Sequence, residues 1–540
     1  MSYPIVEWVR QNNIINTVVN EFTPNIVTDS FGNTYGIYST DRSVSGQNTT
    51  GLQDVVVFKI DYTGSVIWTR QNSIINTVSF DQRPSICVAS SGNLYISFQT
   101  RGSTSGNSNL GGPRDIVVMK MNPSGDVVWI KQNSSFNTTA NDYQPEITVD
   151  TNENIYVTYF TEGTTSGQSL IGGQDVVLFK MNRDGIVQWI EQNNIMNTVN
   201  TDDFPFVTTD YDGNILIAYS TLGTASGQTL TGGIDIVILK FDPTGSVLWI
   251  RQNSIFNTIV DDFSTTVITH SIGNIYVTYA TSGTTSGNTS TGNEDIVVLK
   301  MNTDGTVLWI RQNSLMNTNA NSRVPSATID KYDNLYVSYS TIGTSSGQIN
   351  TGGQDIVVFK MNSEGDVQWI RQNSFMNTSL DDVIPSVSID QYGNIYVAYI
   401  TLGGTASGQS LIGGQDVVIF KLRQSPANNF CALLQDYITL GPTLVFTEEY
   451  VLALRDNKPL PGTALVSWIQ PQGLIADVPL RDLKKTVVIM QGRLHSYYFR
   501  KIQLINGIAS EGVGGSVSDV DAYKCGYICT WAASGLAYIP

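Results

Sequence analysis

This sequence predicts an all-β chain: a seven-bladed ring of four-stranded antiparallel sheets, followed by a small β-sandwich-like domain. Three observations carry the prediction. The first is a period: Trp8, Trp68, Trp129, Trp189, Trp249, Trp309 and Trp369 recur every 60 or 61 residues, each followed two positions later by a charged residue and then Gln-Asn. The second is the content of each unit. In the last one, apolar runs at Val367–Gln372, Pro385–Asp390, Asn394–Thr401 and Asp416–Leu422 are separated by Gly, Asn and Ser clusters, which reads as a four-stranded meander. The third is how the ends are cut. The chain opens on a lone Trp strand at Ile5–Trp8, and the last repeat stops after Asp416–Leu422 without one. Seven of each strand type exist only if the N-terminal strand completes the final blade. A linear array gains nothing from that split, whereas a ring uses it to remove exposed sheet edges.

At 540 residues the chain exceeds one ordinary core. Charged residues make up only 14%, and 48 glycines accompany abundant Ser, Thr and Asn, a composition of strands and turns. Residues 424–540 hold nine basic and nine acidic side chains, so the net charge of −16 belongs wholly to residues 1–423. An acidic surface of this kind repels phosphates and anionic lipid, so neither nucleic acid nor membrane is expected as a partner. No stretch reaches the ~20 apolar residues of a membrane span. Arg10 and a run of Asn interrupt the start before an apolar signal region can form, and synthesis in the cytoplasm without a signal peptide is expected.

The repeated polar residues invite functional readings, and each has a structural alternative. Asp54, Asp115, Asp175, Asp235, Asp295, Asp355 and Asp416 open the third strand, with a lysine five residues on, as in Lys59 and Lys421. That odd offset places the pair on opposite strand faces, where each pins a neighbouring turn or blade. Ser-Gly recurs from Ser45-Gly46 to Ser407-Gly408 in the long connection between second and third strands, where glycine supplies a positive φ. Asp-Tyr-Asp-Gly-Asn at Asp210–Asn214 lacks the loop length and bidentate Glu of a calcium hand and fits turn chemistry. Just upstream of the innermost strands stand Glu21, Asp81, Asp142, Asp202, Asp262 and Asp382, with Ser322 in the one blade that lacks an acid. These six are the candidate binding residues: a ring of carboxylates at one rim of the channel, sharing a face with the Ser-Gly loops, where a cation or basic partner would relieve their repulsion.

The pattern Asp-x-x-Gly-Asn-Ile-Tyr-Val, then Gly-Gly-x-Asp-Ile-Val-Val-x-Lys, then Gly-x-Val-x-Trp resembles the seven-bladed β-propeller repeat family of bacterial surface proteins and some large DNA viruses. The resemblance covers residues 1–423 and implies that the Pro385-type strand lines the channel and the Trp strand lies outermost. It says little of function, since propellers host unrelated roles.

After Arg423 the repeat ends. Residues 424–429 read as a linker, and residues 430–540 as a separate β domain with strand-like segments split by Gly, Pro and Asp-Asn turns. Cys431, Cys525 and Cys529 fall there, read as buried free thiols.

With only His270 and His495, histidine triads and multi-histidine metal sites are nearly excluded, and neither metal nor cofactor is expected. The blades are nearly uniform, without the irregular insertion that usually marks a catalytic site, and the expectation is a non-enzymatic protein. Two carboxylates would suffice for a glycosidase, a route the sequence leaves open. The first functional expectation is a structural or attachment component of a large DNA virus particle, using the propeller as a binding or assembly platform for protein partners or its own copies. The alternatives are a cytoplasmic protein–protein scaffold and a propeller that binds or acts on carbohydrate, with surface glycans as partners.

Overall fold

A computed structural model describes residues 4–423, apart from 108, 110 and 111. The expected linker and C-terminal domain, with Cys431, Cys525 and Cys529, lie outside the described residues. Twenty-eight strands, numbered β1 to β28 along the chain, form seven four-stranded antiparallel sheets, and no helix occurs among the described residues.

Blade 1 consists of β2 (Glu21–Thr28), β3 (Thr34–Thr40), β4 (Asp54–Ile60) and β5 (Val66–Arg70), paired in that order from the channel outward. Blades 2 to 6 repeat this pattern from their innermost strands β6 (Asp81–Val88), β10 (Asp142–Val149), β14 (Asp202–Thr209), β18 (Asp262–Thr269) and β22 (Ser322–Ile329). Blade 7 takes three strands from the end of the repeat, β26 (Asp382–Ile389), β27 (Ile395–Thr401) and β28 (Asp416–Arg423). Its fourth is β1 (Ile5–Arg10), hydrogen-bonded beside β28.

Each blade is covered by a neighbour on both faces, so its middle strands read as continuous apolar runs. Thr34–Thr40 is buried at every position, and Tyr35, Ile37, Val55 and Val57 of blade 1 share one core with Leu94, Ile96, Phe98 and Val117 of blade 2. The outermost strands are covered less. In Val66–Arg70 most positions are only partly buried, Ile67 is exposed, and the strand holds the Trp of the period.

The repeated polar residues join blade to blade. Trp68 Nε1 donates to Pro123 O at 3.3 Å and Arg70 Nε to Gly125 O at 3.1 Å, so the Trp-x-Arg pair of one blade grips the outer turn of the next. Gln71 Nε2 reaches Asp54 Oδ2 at 3.1 Å while its Oε1 accepts from Val44 N at 2.9 Å, anchoring the Ser-Gly loop. Asn76 accepts from Val55 N at 2.7 Å and donates to Val55 O at 2.9 Å, acting as a one-residue strand partner. Asp54 receives the loop amides of Thr50 at 2.7 Å and Gly51 at 2.9 Å. Lys59 lies 4.8 Å from the Tyr35 ring centroid, and Lys421, its counterpart in blade 7, donates to Tyr62 O of blade 1 at 3.0 Å. The Ser-Gly glycines adopt φ near +75° at Gly46 and +71° at Gly408, a conformation that suits residues without Cβ.

The innermost strands begin three residues earlier than the sequence reading placed them, at Asp382 rather than Pro385 in blade 7. A bulge hides this start: pairing of β26 with β27 slips between Val383 and Ser386. The same slip occurs in all seven blades, and each third strand residue has a positive φ: Thr23 (47°), Arg83 (52°), Gln144 (47°), Phe204 (51°), Ser264 (56°), Val324 (51°) and Ile384 (54°). None is glycine, so the ring holds seven residues in a conformation that costs an L side chain ~1–2 kcal/mol. Below the bulge neighbouring innermost strands are joined by hydroxyls: Ile26 N donates to Ser386 Oγ and Val387 N to Ser326 Oγ, both at 3.1 Å.

Candidate binding site at the channel mouth

The acidic ring sits at the first position of each innermost strand, and it is not on the surface. Glu21, Asp81, Asp142, Asp202, Asp262 and Asp382 are each 0% exposed. Each is held by the threonine four residues earlier: Thr77 N donates to Asp81 Oδ2 at 2.7 Å and Thr77 Oγ1 to Asp81 Oδ1 at 3.0 Å, while Thr100 Oγ1 joins Thr77 Oγ1 at 3.1 Å. Thr138 and Thr258 hold Asp142 and Asp262 alike. The expected rim of solvent-facing carboxylates is therefore an internal clasp closing the Gln-Asn-x-x-x-Asn-Thr connection between blades. Burial pushes Asp81, Asp142, Asp202, Asp262 and Asp382 up to about 7 and Glu21 to about 8, against the threonine bonds that favour the charged form. In blade 6, Ser322 takes the place of the acid, and Thr318 and Thr341 bond each other at 2.8 Å.

What the mouth offers a ligand comes from residues that break the repeat. A cup of about 620 Å³ opens over the first strand positions of blades 1, 2, 3 and 7. One wall is polar, with Gln53, Gln82, Arg83, Gln99, Arg114 and Gln144. The other is apolar, with Val383, Ile384, Ile400 and Leu402, and Phe22 and Tyr143 also line the cup. Four of the positive-φ residues, Thr23, Arg83, Gln144 and Ile384, belong to this lining, so the bulge sets the direction of side chains in the cup.

The glutamines form a directed chain across three blades. Gln53 Nε2 donates to Asp41 Oδ1 at 2.9 Å and Gln82 Nε2 donates to Gln53 Oε1. Gln99 Nε2 donates to Gln82 Oε1 at 3.5 Å, and Gln144 N donates to Gln99 Oε1 at 3.0 Å. Beside it, Arg114 lies 5.1 Å from the Tyr143 ring centroid, and Tyr143 stacks on Phe160 at 5.0 Å and donates to Glu162 at 3.1 Å. Deeper in the channel, two residues beyond Gln144, Glu146 accepts from Ser85 Oγ of the adjacent blade at 2.7 Å, and burial raises its carboxyl to about 7. Asp203, at the second position of β14, is raised to about 6 by the same cause. Among the described residues no group of three His, Cys, Asp or Glu is arranged to hold a metal ion.

Sequence reasoning singled out the acids because they repeat, and missed the cup because its residues do not. The signal was available: when the seven units are aligned, the position after the acid reads Phe22, Gln82, Tyr143, Asp203, Phe263, Arg323 and Val383, among the most varied in the repeat.

No family model matches the chain, and no curated protein matches it. Solved structures do. An ulvan lyase, described as a new family of polysaccharide lyase, is 12% identical with TM-score 0.44, over 76% of this chain and 95% of that one. An α-L-arabinanase of Penicillium chrysogenum, complexed with arabinobiose, is 12% identical with TM-score 0.41, over 67% and 99%. A sialidase of Streptococcus pneumoniae is 11% identical with TM-score 0.38, over 79% and 71%. These are likenesses of fold. The expectation of a non-enzyme, drawn from uniform blades and two histidines, is not kept: the solved chains that this one is similar to include a polysaccharide lyase, an arabinanase and a sialidase.

Proposed function

We propose that this propeller is a carbohydrate-active protein that takes a saccharide into the cup at its channel mouth. The observation that carries the reading is the two-sided lining: a chain of glutamine amides faces an apolar arc. An amide offers a donor and an acceptor together, which matches a sugar hydroxyl, and the apolar arc suits the C–H face of a pyranose.

A glycan array probed with the intact chain and with a Gln82→Ala/Gln99→Ala variant tests the reading. Defined glycans should bind the parent and lose at least about tenfold in affinity with the variant, the effect of two to three lost hydrogen bonds. Polysaccharides that bind should then be assayed for cleavage. Absence of glycan binding, or binding indifferent to Gln82 and Gln99, overturns the proposal.

A second reading, the binding or assembly platform, is favoured by a different observation on the same face. The Gln-Asn-x-x-x-Asn-Thr connections expose Ile14, Ile74, Ile195, Ile255, Leu315 and Phe375, all 44–62% accessible, as an interrupted apolar ring. Replacing Ile74, Ile195, Ile255 and Leu315 with Ser should abolish self-association seen by sedimentation. A parent chain that sediments as a monomer removes the self-assembly form of this reading. The particle role suggested by composition gains nothing from the contacts of the described residues.

A further inference from the structure

We propose that the cup selects an acidic saccharide, one bearing a carboxylate or a sulfate ester, through Arg83 and Arg114; this rests on the saccharide reading above. In a chain of net charge −16, cations are expected to be paired. Arg83 is not. It lines the cup with Gln82 and Gln144, held by the bulge at φ 52°, and its side chain makes no hydrogen bond or ion pair among the described residues. Arg114 lines the same wall. It donates through Nη1 to Asn141 Oδ1 at 3.2 Å, and its Nε is buried with no acceptor among the described residues. A buried guanidinium N–H without a partner costs free energy that an anionic acceptor would recover.

The acids around the cup leave this positive wall largely in place. Glu21 titrates at about 8 and so is mostly uncharged at neutral pH. Asp41 accepts from Gln53 at the far end of the glutamine chain. Glu162 is engaged by Asn141 at 2.8 Å, Tyr143 at 3.1 Å and Gln174 at 3.3 Å, and it lies within range of the Arg114 charge without an ion pair to it. Glu146, deeper in the channel, is bonded to Ser85 and titrates near neutrality. Among the described residues neither arginine of the cup makes an ion pair: Arg83 is exposed to the mouth, and Arg114 contributes the donor set behind it. A guanidinium takes a carboxylate or sulfate through two parallel donors, a geometry a lysine lacks. The neighbouring amides favour a sugar over a bare anion, because they offer hydroxyl-matching groups on the same wall.

The test compares oligosaccharides of matched length that are neutral, uronate-bearing or sulfated, titrated against the intact chain, Arg83→Gln and Arg83→Lys. The expected result is a preference for one of the acidic series that weakens as salt rises. Arg83→Gln should reduce that affinity by about tenfold, and Arg83→Lys should recover only part of it. The two acidic series distinguish a carboxylate from a sulfate ligand. Equal binding of neutral and acidic sugars, lost in Gln82→Ala/Gln99→Ala but unaffected by Arg83→Gln, overturns this inference and leaves the saccharide reading standing. Binding of none of the three series overturns both. Capture of a poly-glutamate peptide with the same Arg83 dependence, while acidic sugars fail to bind, overturns the sugar assignment in favour of an acidic peptide.

Discussion

Deletion of residues 4–12 should lower the melting temperature by more than any single substitution in the propeller. The segment supplies β1, the fourth strand of blade 7, and with it Trp8, which is 8% exposed and packs in one core with Tyr396, Val417 and Ile419. Its side chains also tie blade 7 to blade 1: Trp8 Nε1 donates to Tyr62 O at 3.1 Å and Arg10 Nε to Gly64 O at 2.6 Å. Gln11 donates to Asp416 Oδ2 at 2.8 Å and to Gly404 O at 2.9 Å and receives Ala406 N at 2.7 Å. Truncating a buried aromatic costs ~3–5 kcal/mol, each lost bond contributes ~1 kcal/mol more, and β28 is left as an unpaired edge that invites aggregation. The expected loss is roughly 10 °C or more by calorimetry, with a peptide of residues 1–17 restoring part of it in trans. Melting of the truncated chain at the parent's temperature would show that closure of the ring does not depend on this strand.

The propeller should be more stable at pH 5 than at pH 8. Five buried aspartates titrate at about 7 and Glu21 at about 8, against ordinary values of 3.8 and 4.5 that they regain on unfolding. Between those limits the folded chain holds more protons than the unfolded one, so stability falls as pH rises from about 4 to about 8 and levels off above. Glu153, where burial pushes upward but bonds from Ser91, Tyr95 and Lys120 and the Lys120 charge together hold the carboxyl down at about 2, works in the opposite sense, but only below its ordinary value of 4.5. Its contribution is complete above that window. The melting temperature should rise by roughly 5–10 °C on going from pH 8 to pH 5. An Asp81→Asn/Asp262→Asn pair should flatten the slope, because an amide has no proton to take up. Stability that increases with pH over this range would mean that the clasp carboxylates are ionised in the fold.

Much of the fold was legible because each unit spells the same polar code and the code has one job. Trp68, Gln71 and Asn76 repeat because each bonds backbone on a neighbouring blade or connection, and a bond to backbone constrains the residue type in every copy, while Thr77 repeats because it clasps the acid four residues on. The split of blade 7 was equally readable, since a lone strand at Trp8 has no other partner. Two features were hidden. Asp382 was placed outside its strand because the bulge at Ile384 and the following Pro385 interrupt the alternation that reports strand structure, and the positive-φ residue is not the glycine that would announce it. The depth of the acids was hidden for a related reason. An aspartate beside a turn reads as solvated, and only the threonine four residues upstream, reaching it from the preceding connection, shows that it is clasped. The cup was least legible of all. Gln82, Arg83, Gln99, Arg114 and Gln144 come from three strands and a connection of blades 2 and 3, and they meet only when the two blades pack side by side.

The most direct measurement is a structure of the intact chain with a bound oligosaccharide, chosen from whatever binds tightest on the array. The expected result is a sugar ring in the channel mouth, its hydroxyls on the side chains of Gln82, Gln99 and Gln144 and its apolar face toward Val383 and Ile384. A sugar seated on the outer Ser-Gly loops, or a cup that stays empty while the saccharide binds elsewhere, contradicts it.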